Sequence, residues 1–193
     1  MTKTSIDNLV PILIAGPTAS GKSALALQLA EKYDGIIINA DSMQVYAVLQ
    51  IITARPQLDE LKAAPHQLYG YVPPDAPYSV ARWQNAALAE IAQAQDKGKR
   101  PILVGGTGLY FTRLTTGLVK VPHIAPHIRE TLRARKQREG NAPLYEELTQ
   151  LDPVLAARLP PSDSQRILRG LEVALATGTP LSAWQKQAAP PFL

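Results

Sequence analysis

Short apolar runs alternate with longer stretches of helical periodicity over the first 118 residues of the chain. Three of the runs predict buried strands, at Ile12–Ala15 and at residues 36–39 and 101–104. Helices are predicted over Lys22–Tyr33 and from an N-cap at Ser79 to a stop at Gly98. Strands that alternate with helices are typical of a parallel sheet covered by helices, so the predicted fold class is α/β, with residues 1–118 as its core.

The pattern changes along the rest of the chain. Residues 49–77 are rich in proline and lack clear periodicity, which predicts a long irregular surface loop. Residues 119–160 have helical periodicity without strands and are interpreted as a helical insertion. Residues 161–193 begin with a helix that is capped by Ser162 or Asp163 and ended by Gly178, interpreted as a return helix of the core. The last residues supply no further element, so we expect the chain to end before the fold is closed.

Composition limits the possible classes of protein. The 193 residues are 46% hydrophobic and 19% charged, which is typical of a folded globular chain. The absence of cysteine excludes disulfides and cysteine-ligated metal sites. The longest apolar runs have only the length of strands and the N-terminus has no leader pattern, so we expect a cytoplasmic monomer without a membrane partner.

The net charge of +4 is concentrated in one segment. Residues 119–140 contain six basic and two acidic side chains and therefore carry the whole surplus. Such a basic stripe is expected where a protein binds a polyanion, although a solvated helix face has the same composition. The segment is a candidate surface for nucleic acid.

A polar cluster after the first predicted strand matches the phosphate-loop pattern G-x-x-x-x-G-K-[ST]. Its residues are Gly16, Pro17, Thr18, Ala19, Ser20, Gly21, Lys22 and Ser23. The glycines let backbone amides approach phosphate oxygens, Lys22 supplies a positive charge, and the Ser23 hydroxyl can serve as a ligand for Mg²⁺. The position between a strand and a helix makes the signal for phosphate binding strong, but the pattern does not say which phosphate compound binds.

Two further polar clusters follow the second and third predicted strands, namely Asp41-Ser42-Met43-Gln44 and Gly105-Gly106-Thr107-Gly108. The Asp41 carboxylate could accept a proton from a nucleophile, or it could cap a turn. Gln44 could read a base edge or be an ordinary surface residue, and Thr107 could bind substrate while its glycines serve only a tight turn. Because open α/β sheets bind ligands outside the carboxyl ends of their strands, we expect all three clusters to line one crevice.

A polar strip is predicted on the helix near the C-terminus. Gln165 and Arg169 are four residues apart and Arg166 is three residues from Arg169, so these side chains lie on neighbouring parts of one helix surface. The strip could contact phosphates or a base, or it could be a solvated helix face.

Together these clusters resemble the tRNA dimethylallyltransferase family, also called tRNA isopentenyltransferases. The most specific matches are Asp41-Ser42-Met43-Gln44-Val45-Tyr46 and Gly105-Gly106-Thr107-Gly108-Leu109-Tyr110. The stretches Pro65-His66, Pro77-Tyr78-Ser79 and Asp163-Ser164-Gln165-Arg166-Ile167 also match. The resemblance implies a P-loop NTPase-like parallel sheet flanked by helices. It also implies transfer of a dimethylallyl group from dimethylallyl diphosphate to N6 of an adenosine on the 3′ side of the anticodon in tRNA.

The resemblance further implies roles for individual residues. Lys22, Asp41 and Thr107 would serve catalysis, with Asp41 accepting the proton or a hydrogen bond from N6 of the adenine. Residues 16–23 would bind the diphosphate, with Ser23 as the Mg²⁺ ligand. The residues implied to contact the tRNA anticodon stem-loop are Asp41, Ser42, Met43, Gln44, Thr107, Arg129, Gln165, Arg166, Ile167, Leu168 and Arg169.

The chain departs from the family pattern in two places. The family continues beyond the point at which this chain stops, and its further part carries more basic tRNA contacts, so we expect the chain to be an incomplete form. In addition, Ile52 stands where the family typically has glycine. If that glycine needs a positive φ, a β-branched residue would strain the loop.

Three other functions share part of the pattern. An adenylate isopentenyltransferase prenylates free AMP and needs no basic insertion, so the charge of residues 119–140 argues against it. A small-molecule kinase would use the phosphate loop for ATP. A tRNA-binding remnant would bind tRNA without forming a product.

Overall fold

The computed structural model describes residues 9–117, 121–187 and 191–193. Within these ranges the strands are β1 (Ile12–Ala15), β2 (Gly35–Asn39), β3 (His66–Gln67) and β4 (Arg100–Gly105). The helices are α1 (Lys22–Tyr33), α2 (Leu58–Ala63), α3 (Val80–Asp96), α4 (Gly108–Thr115), α5 (Pro126–Glu139), α6 (Ala142–Leu151), α7 (Pro153–Ala156), α8 (Ser164–Thr177) and α9 (Leu181–Gln185). The strands form one parallel sheet in the order β1-β4-β2-β3, which confirms the predicted α/β fold class.

Helices cover both faces of the sheet, which explains why the middle residues of its central strands are apolar. Successive residues of β2 point to opposite faces. Ile37 packs with Ala26 of α1 on one face, and Ile38 packs with Trp83 of α3 on the other. The predicted strands and helices of this region therefore bury their apolar residues as the sequence pattern indicates.

The chain divides into two compact units, residues 1–116 with 191–193, and residues 117–190. The first unit holds the sheet, and the described part of the second is helical. The predicted boundary between residues 118 and 119 lies outside the described residues. The assignment of residues 161–193 to the core differs from the structure, because α8 buries Ile167 and Leu171 against Leu132 of α5 and Leu148 of α6. The apolar face of α8 thus completes the helical unit.

Residues 49–77 are more regular than their prolines predict. A short helix, α2, begins after a capping box formed by Gln57 and Glu60. In this box the backbone amide of Gln57 donates to Glu60 Oε2 over 2.8 Å. Ile52 does not have the positive φ that would strain a β-branched residue, whereas Ala54, two residues later, has a φ of 51°. Ile52 is instead exposed, with 85% of its surface accessible.

The predicted helix caps lie at or beside the observed helix ends. Ser79 Oγ accepts a hydrogen bond from the Arg82 amide over 3.3 Å, and Asp163 Oδ1 accepts one from the Arg166 amide over 3.1 Å. Of the two candidates Ser162 and Asp163, the second is the N-cap of α8. None of the helices in the described ranges is long and apolar enough to cross a membrane.

Gly105, the last residue of β4, lies against the backbone at the end of β2. A Cβ atom on Gly105 would lie 2.1 Å from the carbonyl carbon and oxygen of Ala40. We expect Gly105→Ala to lower the free energy of unfolding by about 3 kcal/mol or more, because backbone must move to admit the methyl group. Gly108→Ala is the matched control, since a Cβ there meets nothing within 4 Å. Urea unfolding checks both variants, and equal stabilities of Gly105→Ala and the unaltered chain would contradict the expectation.

Candidate functional site

The three polar clusters predicted to share one crevice meet at the carboxyl edge of the sheet. The Gly16 amide donates to the Gly105 carbonyl over 3.3 Å, and the Thr107 amide donates to the Ala40 carbonyl over 3.2 Å. A Cβ atom on Gly106 would lie 3.3 Å from Asp41 Oδ2 and 3.5 Å from the Gly16 carbonyl oxygen. The phosphate loop, the Asp41 carboxylate and the glycine turn are therefore in direct proximity.

The phosphate loop leads into α1 through two residues with a left-handed backbone. Ala19 has φ 63°, and Gly21, the N-cap of α1, has φ 80°. The first turn of α1 contains no acidic residue, and the loop residues Pro17 to Gly21 are exposed. Lys22 Nζ donates to the Pro17 carbonyl over 3.0 Å, so the ammonium group lies over the loop. An anion in this loop would meet backbone amides, the positive end of the helix dipole and the Lys22 charge.

Ser23 is the second residue of α1, directly after Lys22, and it is exposed to solvent. It also lines a small cavity with Gln44, Glu60 and His66. Across the described residues, no group of three or more histidine, cysteine, aspartate or glutamate side chains is placed to hold a metal ion. A cation here would need most of its ligands from a bound phosphate compound and water, which is how proteins commonly bind Mg²⁺.

Asp41 uses one carboxylate oxygen for the local turn. Oδ1 accepts a hydrogen bond from the Met43 amide over 2.9 Å, so the alternative of a turn cap is correct for this atom. Oδ2 accepts no hydrogen bond from any residue that the structure describes, and it lies beside Gly106. The half-buried carboxylate therefore both shapes the turn and presents an acceptor at the sheet edge.

Burial and the nearby Asp41 charge raise the pKa of two tyrosines. Burial, followed by the Asp41 charge, raises the pKa of the Tyr69 phenol. Burial also raises the pKa of Tyr110, with smaller contributions from neighbouring tyrosines and Asp41. Tyr110 stacks on Trp83 with ring centroids 4.0 Å apart and is buried, so it packs in the core. Both phenols therefore stay protonated near neutral pH.

Asn39, which sequence analysis missed, fixes the backbone of Asp41. It is fully buried at the end of β2. Its Nδ2 donates to the carbonyls of Asp41 and Leu68 over 3.0 Å each, and its Oδ1 accepts from the Asp41 amide over 2.9 Å. Trp83 Nε1 donates to the Asn39 carbonyl over 2.8 Å. The sequence signal that could have identified Asn39 is that a single polar residue follows directly on three consecutive isoleucines.

Thr107 links the glycine turn to the Asp41 cluster. Although it is the N-cap residue of α4, its side chain does not cap that helix. Thr107 Oγ1 accepts from the Ser42 amide over 2.9 Å and donates to Ser42 Oγ over 3.2 Å. Thr107 and Ser42 thus lie together beside Asp41, with the Thr107 proton already engaged.

Gln44 and Met43 have different surroundings. Gln44 Nε2 donates to the Thr53 carbonyl over 2.7 Å, so this amide group holds the 49–54 loop. Met43 is 51% exposed and presents an apolar surface next to Asp41. The Met43 side chain is thus exposed at the sheet edge, whereas the Gln44 amide nitrogen is bonded within the protein.

The remaining candidate residues lie in the second unit. Arg129 of α5 and Arg169 of α8 both pair with Glu172. Arg166 pairs with Asp163, and Gln165 is exposed. Ile167 is fully buried in the helical core and Leu168 packs against that core, so the Ile167 side chain is not available to tRNA. That implied contact is corrected, because Ile167 lies on the apolar face of α8.

Comparison with known families and structures agrees with this arrangement. A model of the family described as IPP transferase matches residues 44–192, and a model described as isopentenyl transferase matches residues 11–69. Among solved structures, a eukaryotic dimethylallyltransferase acting on tRNA is 32% identical, with a TM-score of 0.78 over 94% of this chain and 46% of that one. The tRNA isopentenylpyrophosphate transferase of Bacillus halodurans is 35% identical, with a TM-score of 0.55 over 88% of this chain and 56% of that one.

Curated relatives are described as tRNA dimethylallyltransferases. The tRNA dimethylallyltransferase of Azorhizobium caulinodans is 55% identical over 94% of this chain and 58% of its own length. That of Rhizobium rhizogenes is 48% identical over 98% of this chain and 64% of its own length. The chain thus spans about three fifths of the length of these relatives. Since the IPP transferase model covers most of the chain and the polar clusters of the family meet at one edge of its sheet, the chain belongs to the IPP transferase family.

Proposed function

We propose that this protein transfers the dimethylallyl group of dimethylallyl diphosphate to N6 of an adenosine on the 3′ side of the anticodon in tRNA. The observation that carries the proposal is the meeting of the phosphate loop, Asp41 and the Thr107 turn at one sheet edge. The names of its relatives, tRNA dimethylallyltransferases, support the same reaction. A phosphate site next to a carboxylate with one free oxygen suits attack by an amine on a carbon that carries a diphosphate.

In the proposed reaction, the N6 lone pair forms a bond to the allylic carbon while the bond from that carbon to the diphosphate oxygen breaks. The diphosphate leaves with the bonding electron pair, and the N6 proton passes to Asp41 Oδ2. Lys22, the loop amides and the start of α1 stabilise the growing negative charge of the leaving group. Asn39 and the Met43 amide keep the carboxylate in place during the transfer.

The residues at the loop fit Mg²⁺ bound together with a diphosphate. The Ser23 hydroxyl would be the protein ligand, and the other ligands would be diphosphate oxygens and water. When bound, the ion would offset part of the negative charge of the diphosphate.

A tRNA acceptor requires contacts to RNA as well as to the reacting adenine. The adenine must leave its stack before N6 can reach a carbon held at the sheet edge. The exposed surface of Met43 beside Asp41 suits apolar contact with a base. Arg129, Arg166 and Arg169 of the second unit would bind the RNA backbone, which adds salt-sensitive affinity without reading sequence.

The proposal is tested by offering the chain a labelled donor with different acceptors. With Mg²⁺ and radiolabelled dimethylallyl diphosphate, we expect label in an unmodified tRNA and none in AMP. Label in AMP but not in tRNA would instead support an adenylate isopentenyltransferase. Transfer of a labelled γ-phosphate from ATP to a small molecule would support a kinase, and tRNA binding without transfer would support a binding remnant.

A further inference from the structure

Glu172 of α8 is a buried carboxylate between two arginines. Its side chain is 9% exposed, whereas those of Arg129 and Arg169 are 45% and 44% exposed. Arg129 Nε lies 3.2 Å from Oε1, and its Nη2 lies 3.5 Å from Oε2. Arg169 Nη1 lies 3.3 Å from Oε2. One carboxylate therefore connects a guanidinium group on α5 with another on α8.

Such a carboxylate fixes its partners more than an exposed ion pair would. A buried charge needs close partners, so its two arginines are held in a limited set of rotamers. One negative charge shared by two positive charges leaves a surplus of one. Each guanidinium group also keeps N–H donors that Glu172 does not use, and their planar arrangement matches phosphate oxygens.

Both arginines face open depressions in the surface of the second unit. One depression of about 500 Å³ is lined by Arg129 and Arg169 together with Arg133, His123 and Glu130. A second, of about 400 Å³, is lined by Arg169 together with Arg166, Gln165 and Asp163. Because Arg169 borders both depressions, its orientation affects both of them.

We propose that Glu172 is a positioning residue for RNA binding, which holds Arg129 and Arg169 in planes that bind adjacent phosphates of an RNA backbone. This proposal rests on the proposed function, from which the RNA ligand follows. It assigns to an acidic residue a favourable effect on the binding of a polyanion, the reverse of what its charge alone would give.

The sign of the effect separates positioning from simple electrostatics. If Glu172 only contributed charge, Glu172→Gln would strengthen RNA binding because it removes a negative group from a basic surface. If Glu172 positions the arginines, the same substitution weakens binding although the net charge becomes more positive. The matched control is Glu130→Gln, an exposed acid of α5 that lines the same depression.

The experiment measures fluorescence anisotropy of a labelled tRNA anticodon hairpin at several salt concentrations. We expect Glu172→Gln to bind about tenfold more weakly with a shallower dependence on salt, since fewer phosphate contacts form. Glu130→Gln is expected to bind as tightly as the unaltered chain or more tightly. Equal or tighter binding by Glu172→Gln would overturn the positioning role and leave the proposed function intact. Absence of salt-dependent binding by the unaltered chain would overturn both.

A second pair of variants keeps the test decisive if Glu172→Gln unfolds, which circular dichroism would reveal. Arg129→Lys and Arg169→Lys keep the charge but lose the planar set of donors. We expect each to bind the hairpin more weakly, whereas Arg158→Lys, at an exposed arginine of the second unit outside residues 119–140 that donates to the Val154 carbonyl, is expected to bind normally. Unchanged affinity in both Arg129→Lys and Arg169→Lys would overturn the proposal.

Discussion

Asp41→Asn is expected to slow dimethylallyl transfer by about a thousandfold, because the variant loses the group that accepts the N6 proton in the proposed reaction. The asparagine Oδ1 can still accept the hydrogen bond from the Met43 amide, so the turn is expected to keep its shape. The proposed contacts of the second unit with the RNA backbone are unaltered, and tRNA affinity should therefore barely change. Single-turnover transfer and tRNA binding, measured on the same preparation, check the two halves of this expectation.

Asp75→Asn is the control for this variant, because Asp75 is an exposed acid of the loop before α3. It should transfer the group at the normal rate. Parallel loss of turnover and tRNA affinity in Asp41→Asn would contradict the assigned role, as would normal turnover.

Lys22→Met is expected to weaken binding of dimethylallyl diphosphate and to slow transfer by about a hundredfold or more, because the Lys22 charge acts on the leaving group. The stability of the fold should change little, since Lys22 Nζ makes an exposed hydrogen bond to the Pro17 carbonyl of its own loop. Titration calorimetry with the diphosphate and Mg²⁺ measures the affinity, and thermal unfolding measures the stability.

Lys32→Met provides the comparison within α1. Lys32 lies in the last turn of that helix, away from the phosphate loop, with its ammonium 5.2 Å from the Tyr33 ring centroid. Its loss removes one positive charge without changing the loop. Equal affinities of Lys22→Met and Lys32→Met for the diphosphate would show that the loop does not bind this ligand as proposed.

Local patterns predicted the sheet and the edge at which the clusters meet. The apolar runs at β2 and β4 are almost wholly buried, and the run at β1 is partly buried; each is followed within three residues by a polar side chain. Because parallel strands end at the same edge, the proximity of Gly16, Asp41 and Gly106 followed from the predicted parallel arrangement of the strands. The hydrogen bond from the Gly16 amide to the Gly105 carbonyl bears out that expectation.

The failures have a common physical origin in partners that are distant along the sequence. Periodicity showed which face of α8 is apolar, but it could not show that Leu132 of α5 would cover that face. Nor could the sequence show that the 49–54 loop would place the Thr53 carbonyl beside the Gln44 amide. Asn39 and Glu172 were missed for the same reason, since Asn39 also bonds to Leu68 and Trp83, and Glu172 also pairs with Arg129, all of which only the fold brings near.

The measurement that tests the central claim most directly is mass spectrometry of nucleosides from an anticodon hairpin treated with the chain, Mg²⁺ and dimethylallyl diphosphate. A matched hairpin with guanosine in place of the adenosine 3′ of the anticodon serves as the control. The proposed function predicts that one adenosine gains the mass of a dimethylallyl group in the first hairpin and that the second gains none. An unmodified adenosine in a hairpin that the chain binds would contradict the claim that this chain is a transferase.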